Sequence, residues 1–285
     1  MKIEGTSACC SSAGTATARP VTLAGMFYPA DAEELTSLLD AFFSSTVTSV
    51  TSPYGVLVPH AGYIYSGKTA ACAYAKIPET FSGTFVIVGP SHAGCMTVSG
   101  DCSWETPLGP VAADIELVAA FADAGIPTKN DLMRVQENSL ETQMPFIRYR
   151  FPQAKVAPIL LGDQSLASAR TVAAAITKAI DASHAASGSV VIIASGDGSH
   201  YVPAKVAEHD DLTVLAAAAK LDVDLFYETL MTVRPSMCGY GCIAVMLLVG
   251  KHLGAHEAKL IMYQTSGDAT GDDREVVGYA AMEVV

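Results

Sequence analysis

Short apolar runs alternate along this chain with longer segments whose apolar positions recur at helical spacing. The runs are three to nine residues long and stand between turn-forming residues, which is typical of strands buried on both faces. They predict strands at Val56–Val58, Thr84–Val88, Val156–Leu161, Val190–Ala194, Lys259–Tyr263 and Val276–Val284.

The intervening segments predict helices. The first begins at Asp31 and Glu34, a pair that resembles a capping box, and its apolar residues fall on one face. The predicted helices are 31–45, 67–76, Asp114–Ala124, Ser139–Tyr149, Leu166–Ile180, 204–219, 221–230 and Gly241–Leu253. This alternation predicts a single α/β domain with three α/β/α layers around one sheet.

Composition agrees with a large hydrophobic core and limits the cellular locations that are expected for the protein. Of the 285 residues, 50% are hydrophobic, yet no run reaches the roughly 18 apolar residues that a membrane span requires. Residues 1–19 lack the apolar core of a secretory signal, so we expect a flexible leader followed by a domain over 20–285. The seven cysteines are odd in number and irregularly spaced, which favours free thiols and a cytoplasmic location.

The formal net charge is −12, from 17 basic and 29 acidic residues. Such a chain repels the phosphates of nucleic acids and the surfaces of anionic membranes. We therefore expect neither nucleic acid nor a membrane as a partner.

Three of the seven histidines follow predicted strands. His60, His92 and His200 each stand a few residues after a strand and beside Gly, Pro or Ser. If these strands are parallel neighbours, the three imidazoles meet at the carboxyl edge of the sheet, where ligands bind in open α/β folds. Imidazole is a common metal ligand and a general acid/base, although one strand-end histidine alone is more often a hydrogen-bonded loop residue.

Two more residue types support a site. Cys238 precedes the apolar helix at Gly241–Leu253, where a helix N-terminus favours the thiolate; the alternative is a small buried side chain. Asp197 would orient a histidine or bind substrate, or else form a turn. Glu141 would bond a ligand histidine, or else be a solvated helix charge. Cys242 is expected to pack in the core.

Eight short sequence motifs, in order from about residue 20 to the C-terminus, resemble those of the Memo family, also called protein B of the AmmeMemoRadiSam system. They are 24–29 (AGMFYP), 58–63 (VPHAGY), 89–92 (GPSH), 105–109 (ETPLG), 137–143 (ENSLETQ), 195–201 (SGDGSHY), 238–239 (CG) and 265–268 (TSGD).

The resemblance implies a fold similar to class III extradiol dioxygenases, with a mixed, mostly parallel sheet. It implies that His60 and His92 bind a metal, and that Cys238 stands where those dioxygenases have a carboxylate. It further implies that His200 is an additional active-site histidine with Asp197 as its nearby acid. Radical-SAM and other proteins of the same system are the partners that it implies.

Two motifs depart from the usual pattern of the family. Asn138 stands where the family usually has the histidine of a Glu-His-Ser motif, and Tyr240 stands where it usually has the arginine of a Cys-Gly-Arg motif. The first removes a group that carries protons, and the second removes a fixed positive charge that would hold an anionic substrate. Asn138, Tyr240, Glu141 and Tyr63 are predicted to surround the ligands or to contact the substrate.

Two histidines and a thiolate are an open ligand set that favours iron or copper, with zinc also compatible. The leading hypothesis is a redox, dioxygenase-like enzyme acting on a small molecule or O₂, with His200 as acid/base. Zinc in the same pocket would indicate hydrolysis. A non-catalytic module that binds phosphotyrosine peptides is the alternative from another class, and the sequence leaves catalysis itself open.

Overall fold

The computed structural model describes residues 18–46, 49–183 and 189–285. Most of the predicted leader, including Cys9 and Cys10, lies outside the described residues. Arg19, the last residue of the predicted leader, is only 1% exposed and packs with the domain. Its side chain forms an ion pair with Glu141 at 2.6 Å.

The strands of the described residues form one mixed sheet in the order β3-β5-β2-β6-β1-β9-β7, with β4 beside β5 and β8 beside β9. Strands β1, β2, β5 and β6 pair in parallel, whereas β7 and β8 pair antiparallel with β9. The bounds are β1 Gly55–Val58, β2 Thr84–Pro90, β3 Val98–Ser99, β4 Ala112–Ala113, β5 Lys155–Leu161, β6 Val190–Ser195, β7 His200–Val202, β8 Ala258–Thr265 and β9 Val276–Val284.

Helices cover both faces of this sheet. In the described part of the chain they are α1 Ala32–Ser44, α2 Tyr63–Tyr74, α3 Ile115–Asp123, α4 Asn130–Met133, α5 Asn138–Glu141, α6 Gln143–Arg150, α7 Leu166–Ala182, α8 Ala204–Ala218, α9 Val223–Val233, α10 Tyr240–Leu253 and α11 Gly267–Thr270. Residues of α3 and α7–α10 form one apolar cluster, and residues of α1, α2 and α4–α6 form another.

Each central strand contributes side chains to both clusters, because successive residues of a strand point to opposite faces. In β1, Leu57 packs with the α7–α10 side, whereas Val56 and Val58 pack with the α1–α2 side. The predicted three-layer α/β/α domain with a mixed, mostly parallel sheet is therefore confirmed. None of the helices in the described ranges is long and apolar enough to cross a membrane.

Local differences from the predicted elements have physical reasons. Helix α2 starts four residues before the predicted residue 67, because its N-cap is Gly62, which has no side chain to signal a helix start. The predicted helix Ser139–Tyr149 is two short helices that meet at Thr142. Strand β7 was missed because three residues that pair only with β9 carry too little periodicity to detect.

The order of the three central strands positions the site. Strand β6 lies between β2 and β1 and is parallel to both, so the carboxyl ends of all three strands meet at one edge. Ser195, the last residue of β6, lies opposite Val58, the last residue of β1. The loops that follow β1 and β2 carry His60 and His92, and His200 begins β7, directly after the loop that follows β6.

Candidate metal centre

Five side chains predicted from the sequence come together at this edge. The ligand atoms of His60, His92 and Cys238 all lie within 4.8 Å of one another. Cys238 Sγ is 3.2 Å from His60 Nε2, and the rings of His60 and His92 are 5.2 Å apart and nearly perpendicular. His200, Asp197 and Cys238 form a second group that meets the same 4.8 Å limit.

A buried hydrogen-bond network selects the nitrogen that His60 presents. The Ser195 hydroxyl donates to the Ser139 carbonyl oxygen at 2.5 Å, so its lone pairs must serve its other partners. It accepts from Gln143 Nε2 at 3.1 Å and lies 3.0 Å from His60 Nδ1. His60 Nδ1 therefore carries the proton, and Nε2 turns its lone pair toward Cys238. Tyr74, donating to Gln143 Oε1 at 2.8 Å, completes the network.

The His60 ring is suited to be a neutral ligand. The side chain is 1% exposed, and burial lowers its pKa, although the charge of Asp197 acts in the opposite direction. A buried imidazole with a lowered pKa stays unprotonated near neutral pH, which is the form that binds metals.

His92 is oriented by a carboxylate. Glu137 Oε1 accepts from His92 Nδ1 at 2.6 Å, and Glu137 Oε2 accepts from the His92 backbone N–H at 2.8 Å. This hydrogen bond raises the pKa of His92. For Glu137, burial raises the pKa of the carboxyl group, but the hydrogen bonds from His92 outweigh burial, and the net result is a lowered pKa. The arrangement leaves Nε2 of His92 available to bind a metal ion, as in the carboxylate–histidine pairs that support metal centres.

The glutamate predicted to bond a ligand histidine was Glu141, but in the structure Glu137 forms this bond. Glu141 contacts neither histidine: its carboxylate accepts from Arg19, Thr22 and Tyr28 and anchors the start of the domain. Glu137 was missed because it stands at the N-cap of α5, where an acidic residue is ordinarily explained by capping alone. The sequence pointed to Glu137 only through its position beside Asn138 in one of the motifs that resemble the family.

Cys238 lies one residue before Gly239, the N-cap of α10, and its Sγ accepts from the backbone N–H of Asp197 at 3.3 Å. The predicted effect of the helix N-terminus is opposed by the surroundings of the thiol. Burial, followed by the charge of Asp197, raises the pKa of the thiol despite the helix N-terminus. A bound cation would reverse this balance, since a coordinating thiol is deprotonated. Cys242 is fully buried in the core, as predicted.

Asp197 and His200 are held in different ways. Asp197 Oδ1 accepts from the backbone N–H of His60 at 2.8 Å, so this carboxylate orients His60. His200 Nδ1 lies 3.0 Å from the Ser236 carbonyl oxygen, which can only accept. His200 therefore carries its proton on Nδ1, and its Nε2 is a lone-pair acceptor.

The three other residues predicted to surround the site lie in different places. Asn138 supports the site from behind, because its Nδ2 donates to the His60 carbonyl oxygen at 3.1 Å. Tyr63 is a buried core residue whose hydroxyl donates to the Thr142 carbonyl oxygen. Tyr240 instead lines a separate cavity of about 460 Å³ and packs edge-to-face against Tyr227.

The donor set fits a transition-metal ion. In a tetrahedral site with metal–sulfur bonds of about 2.3 Å and metal–nitrogen bonds of about 2.0 Å, sulfur and nitrogen are roughly 3.5 Å apart. The observed 3.2 Å between Cys238 Sγ and His60 Nε2 is close to this separation. Both histidines also have their remote nitrogens tied by partners, so their free nitrogens are oriented in advance.

Comparison with known proteins gives matches over nearly the whole chain. The family model described as Memo-like protein matches residues 19–283. A MEMO1 family protein of Methanosarcina acetivorans is 40% identical over 270 residues, which cover 93% of this chain and 98% of the relative. Another, from Archaeoglobus fulgidus, is 40% identical over 263 residues, covering 91% and 97%. A third, from Thermoplasma volcanium, is 34% identical over 269 residues, covering 93% and 97%.

Proposed function

This chain belongs to the Memo-like protein family, and from that premise we propose that it binds one iron or copper ion through His60, His92 and Cys238 for redox chemistry on a small molecule or O₂. The supporting observation is the convergence of two imidazoles and a thiol whose supporting hydrogen bonds already orient them. A thiolate with two imidazoles favours iron, copper or zinc over magnesium or calcium. Bound iron or copper supplies one-electron chemistry and an open coordination position.

The side chains around the ion have distinct tasks in this proposal. His200 accepts a proton from the substrate at Nε2, since its Nδ1 proton is held by the Ser236 carbonyl. Asp197 holds the backbone of His60, and Asn138 holds the carbonyl of the same residue. The ligand thus stays at one position while a substrate binds beside it.

Metal analysis tests the proposal. The protein is purified without a polyhistidine tag, and its metals are measured by elemental analysis together with those of a His60→Ala/His92→Ala double variant. The matched control is His252→Ala/His256→Ala, because both of these histidines are exposed. We expect iron or copper near one ion per chain in the wild type and control, and the loss of that ion from the double variant with an unchanged circular-dichroism spectrum.

Other results of the metal analysis would support a different function. Zinc at the same stoichiometry would replace redox chemistry with hydrolysis by a metal-activated water. Protein that takes up no metal in titration would favour the peptide-binding alternative. Full metal content in the double variant would show that the ligands have been assigned incorrectly.

A further inference from the structure

We propose that this site takes a second divalent cation, bound by Asp197, His200 and Cys238 and joined to the first ion through the shared Cys238 sulfur. The ligand atoms of these three residues lie within 4.8 Å of one another. The inference rests on the proposed function only in that the first ion occupies the neighbouring triad. Two ions about 3.5–4 Å apart are a recurring arrangement in metalloenzymes.

Asp197 supplies an observation that is independent of this clustering. The residue is only 5% exposed, and its Oδ1 is used by the backbone N–H of His60. The nearest charge partner of Oδ2 is His60 Nε2 at 3.7 Å, but the Ser195 network places the proton of that ring on Nδ1. Among the described residues, Oδ2 therefore has no hydrogen-bond donor.

Carboxylate oxygens are ordinary ligands of transition-metal ions, and no donor of the described residues uses the lone pairs of Oδ2. A cation can therefore bind beside Oδ2. The same cation would find the lone pair of His200 Nε2, which Ser236 keeps free by accepting the Nδ1 proton. Ser236 also fixes the backbone of His200, since its hydroxyl exchanges hydrogen bonds with the His200 N–H and carbonyl at 2.7 and 2.9 Å.

The charges around the site attract cations. The negative charges of Asp197 and Glu137 both act on Cys238 and on His60. A set of one oxygen, one nitrogen and one sulfur donor suits borderline ions such as Zn²⁺, Co²⁺ or Fe²⁺ better than Mg²⁺ or Ca²⁺.

The second ion would have a consequence for the proposed reaction. It binds the His200 nitrogen that otherwise accepts the substrate proton, so the ion and the proton compete for one lone pair. Loading of the second position should therefore inhibit any reaction that needs His200 as a base.

Metal stoichiometry tests the inference without an activity assay. Metal-free protein is dialysed to equilibrium against rising Zn²⁺, and Co²⁺ is titrated anaerobically while its absorption bands are recorded. We expect about two ions per chain in the wild type, with the second Co²⁺ giving its own change in the spectrum. Asp197→Asn keeps the Oδ1 acceptor for His60 and removes the charge at Oδ2, and His200→Ala removes the nitrogen.

Both variants should bind about one ion per chain, while His209→Ala, which changes an exposed histidine, should keep both. A wild type that saturates at one ion would overturn this inference and leave the proposed function standing. Two ions retained in both Asp197→Asn and His200→Ala would also overturn it. A wild type that binds no ion would contradict both proposals.

Discussion

The Ser195 hydroxyl decides which nitrogen of His60 faces the thiol, although Ser195 is not itself among the proposed ligands. It does so because its one proton goes to the Ser139 carbonyl, which leaves its lone pairs to accept from His60. The histidines and Cys238 were predictable because they are scarce residue types placed after strands or before a helix. Ser195 and Glu137 were not, since their partners are set only by folding of distant segments.

Removing this hydroxyl tests its role. Ser195→Ala leaves Gln143 Nε2 and His60 Nδ1 short of a buried acceptor, so we expect a loss of about 2 kcal/mol in the free energy of unfolding. Metal affinity should fall roughly 10–100-fold, because the ring of His60 is no longer oriented. Urea unfolding and metal titration measure the two effects.

Ser37→Ala, on the exposed face of α1, is the matched control and should change neither quantity. Metal affinity that stays unchanged in Ser195→Ala would show that the orientation of His60 does not depend on this hydroxyl.

At the scale of elements, the start of α10 brings Cys238 to the sheet. Gly239 has φ +71° and forms the N-cap, and it packs against the end of β6. A Cβ at this position would lie 2.6 Å from the Ser195 carbonyl oxygen and 2.7 Å from Gly196 Cα, both backbone atoms that cannot rotate away. Close contact between helix and strand thus depends on the missing side chain.

Gly239→Ala should cost about 3 kcal/mol or more in the free energy of unfolding, from backbone strain together with the clash. Gly271→Ala is the matched control, because it has φ +75° and a Cβ added there would meet no atom within 4 Å. It should cost about 1 kcal/mol from strain alone. Equal losses in the two variants, measured by urea unfolding, would show that the contact with β6 is not tight.

Strands and helices differed in how well the sequence predicted them. The central strands β1, β2, β5 and β6 were found because they are continuous apolar runs buried on both faces. The short strands β3 and β4 were missed because each has only two residues, and such pairing is decided by the neighbouring strand. Periodicity cannot report contacts that come from tertiary structure alone.

At the scale of the whole molecule, a buried ion pair fastens the start of the domain to the centre. Arg19 and Glu141 are 122 residues apart in sequence, and both are almost fully buried. Thr22 and Leu23 add backbone N–H donors at 2.8 Å, and Tyr28 adds its hydroxyl at 2.9 Å. The sequence predicted the three-layer domain but not this attachment, because it depends on two distant residues meeting.

Glu141→Gln should lower the free energy of unfolding by about 3 kcal/mol at pH 7, since it leaves Arg19 buried without its partner. Burial alone would raise the pKa of Glu141, but the hydrogen bond from Thr22 and the charge of Arg19 lower it overall. A folded pKa below the unfolded value gives stability that is present above about pH 4.5 and is lost as pH falls through the folded pKa.

The difference between wild type and Glu141→Gln should therefore shrink in acid, as measured by urea unfolding from pH 7 to pH 3. Glu228→Gln, at an exposed position of α9, should match the wild type throughout. A difference that stays constant down to pH 3 would contradict the assignment of a charged Glu141.

The position of β1 has a consequence for synthesis of the chain. Its neighbours are β6 and β9, so Gly55–Val58 has no strand to pair with until Ile192 and its neighbours have been made. His60 precedes Cys238 by 178 residues, which at about 5–20 residues per second is roughly 10–35 seconds of translation. During the first part of that interval, until β6 has been made, an apolar strand is unpaired on the nascent chain, and the last ligand is made before β8 and β9.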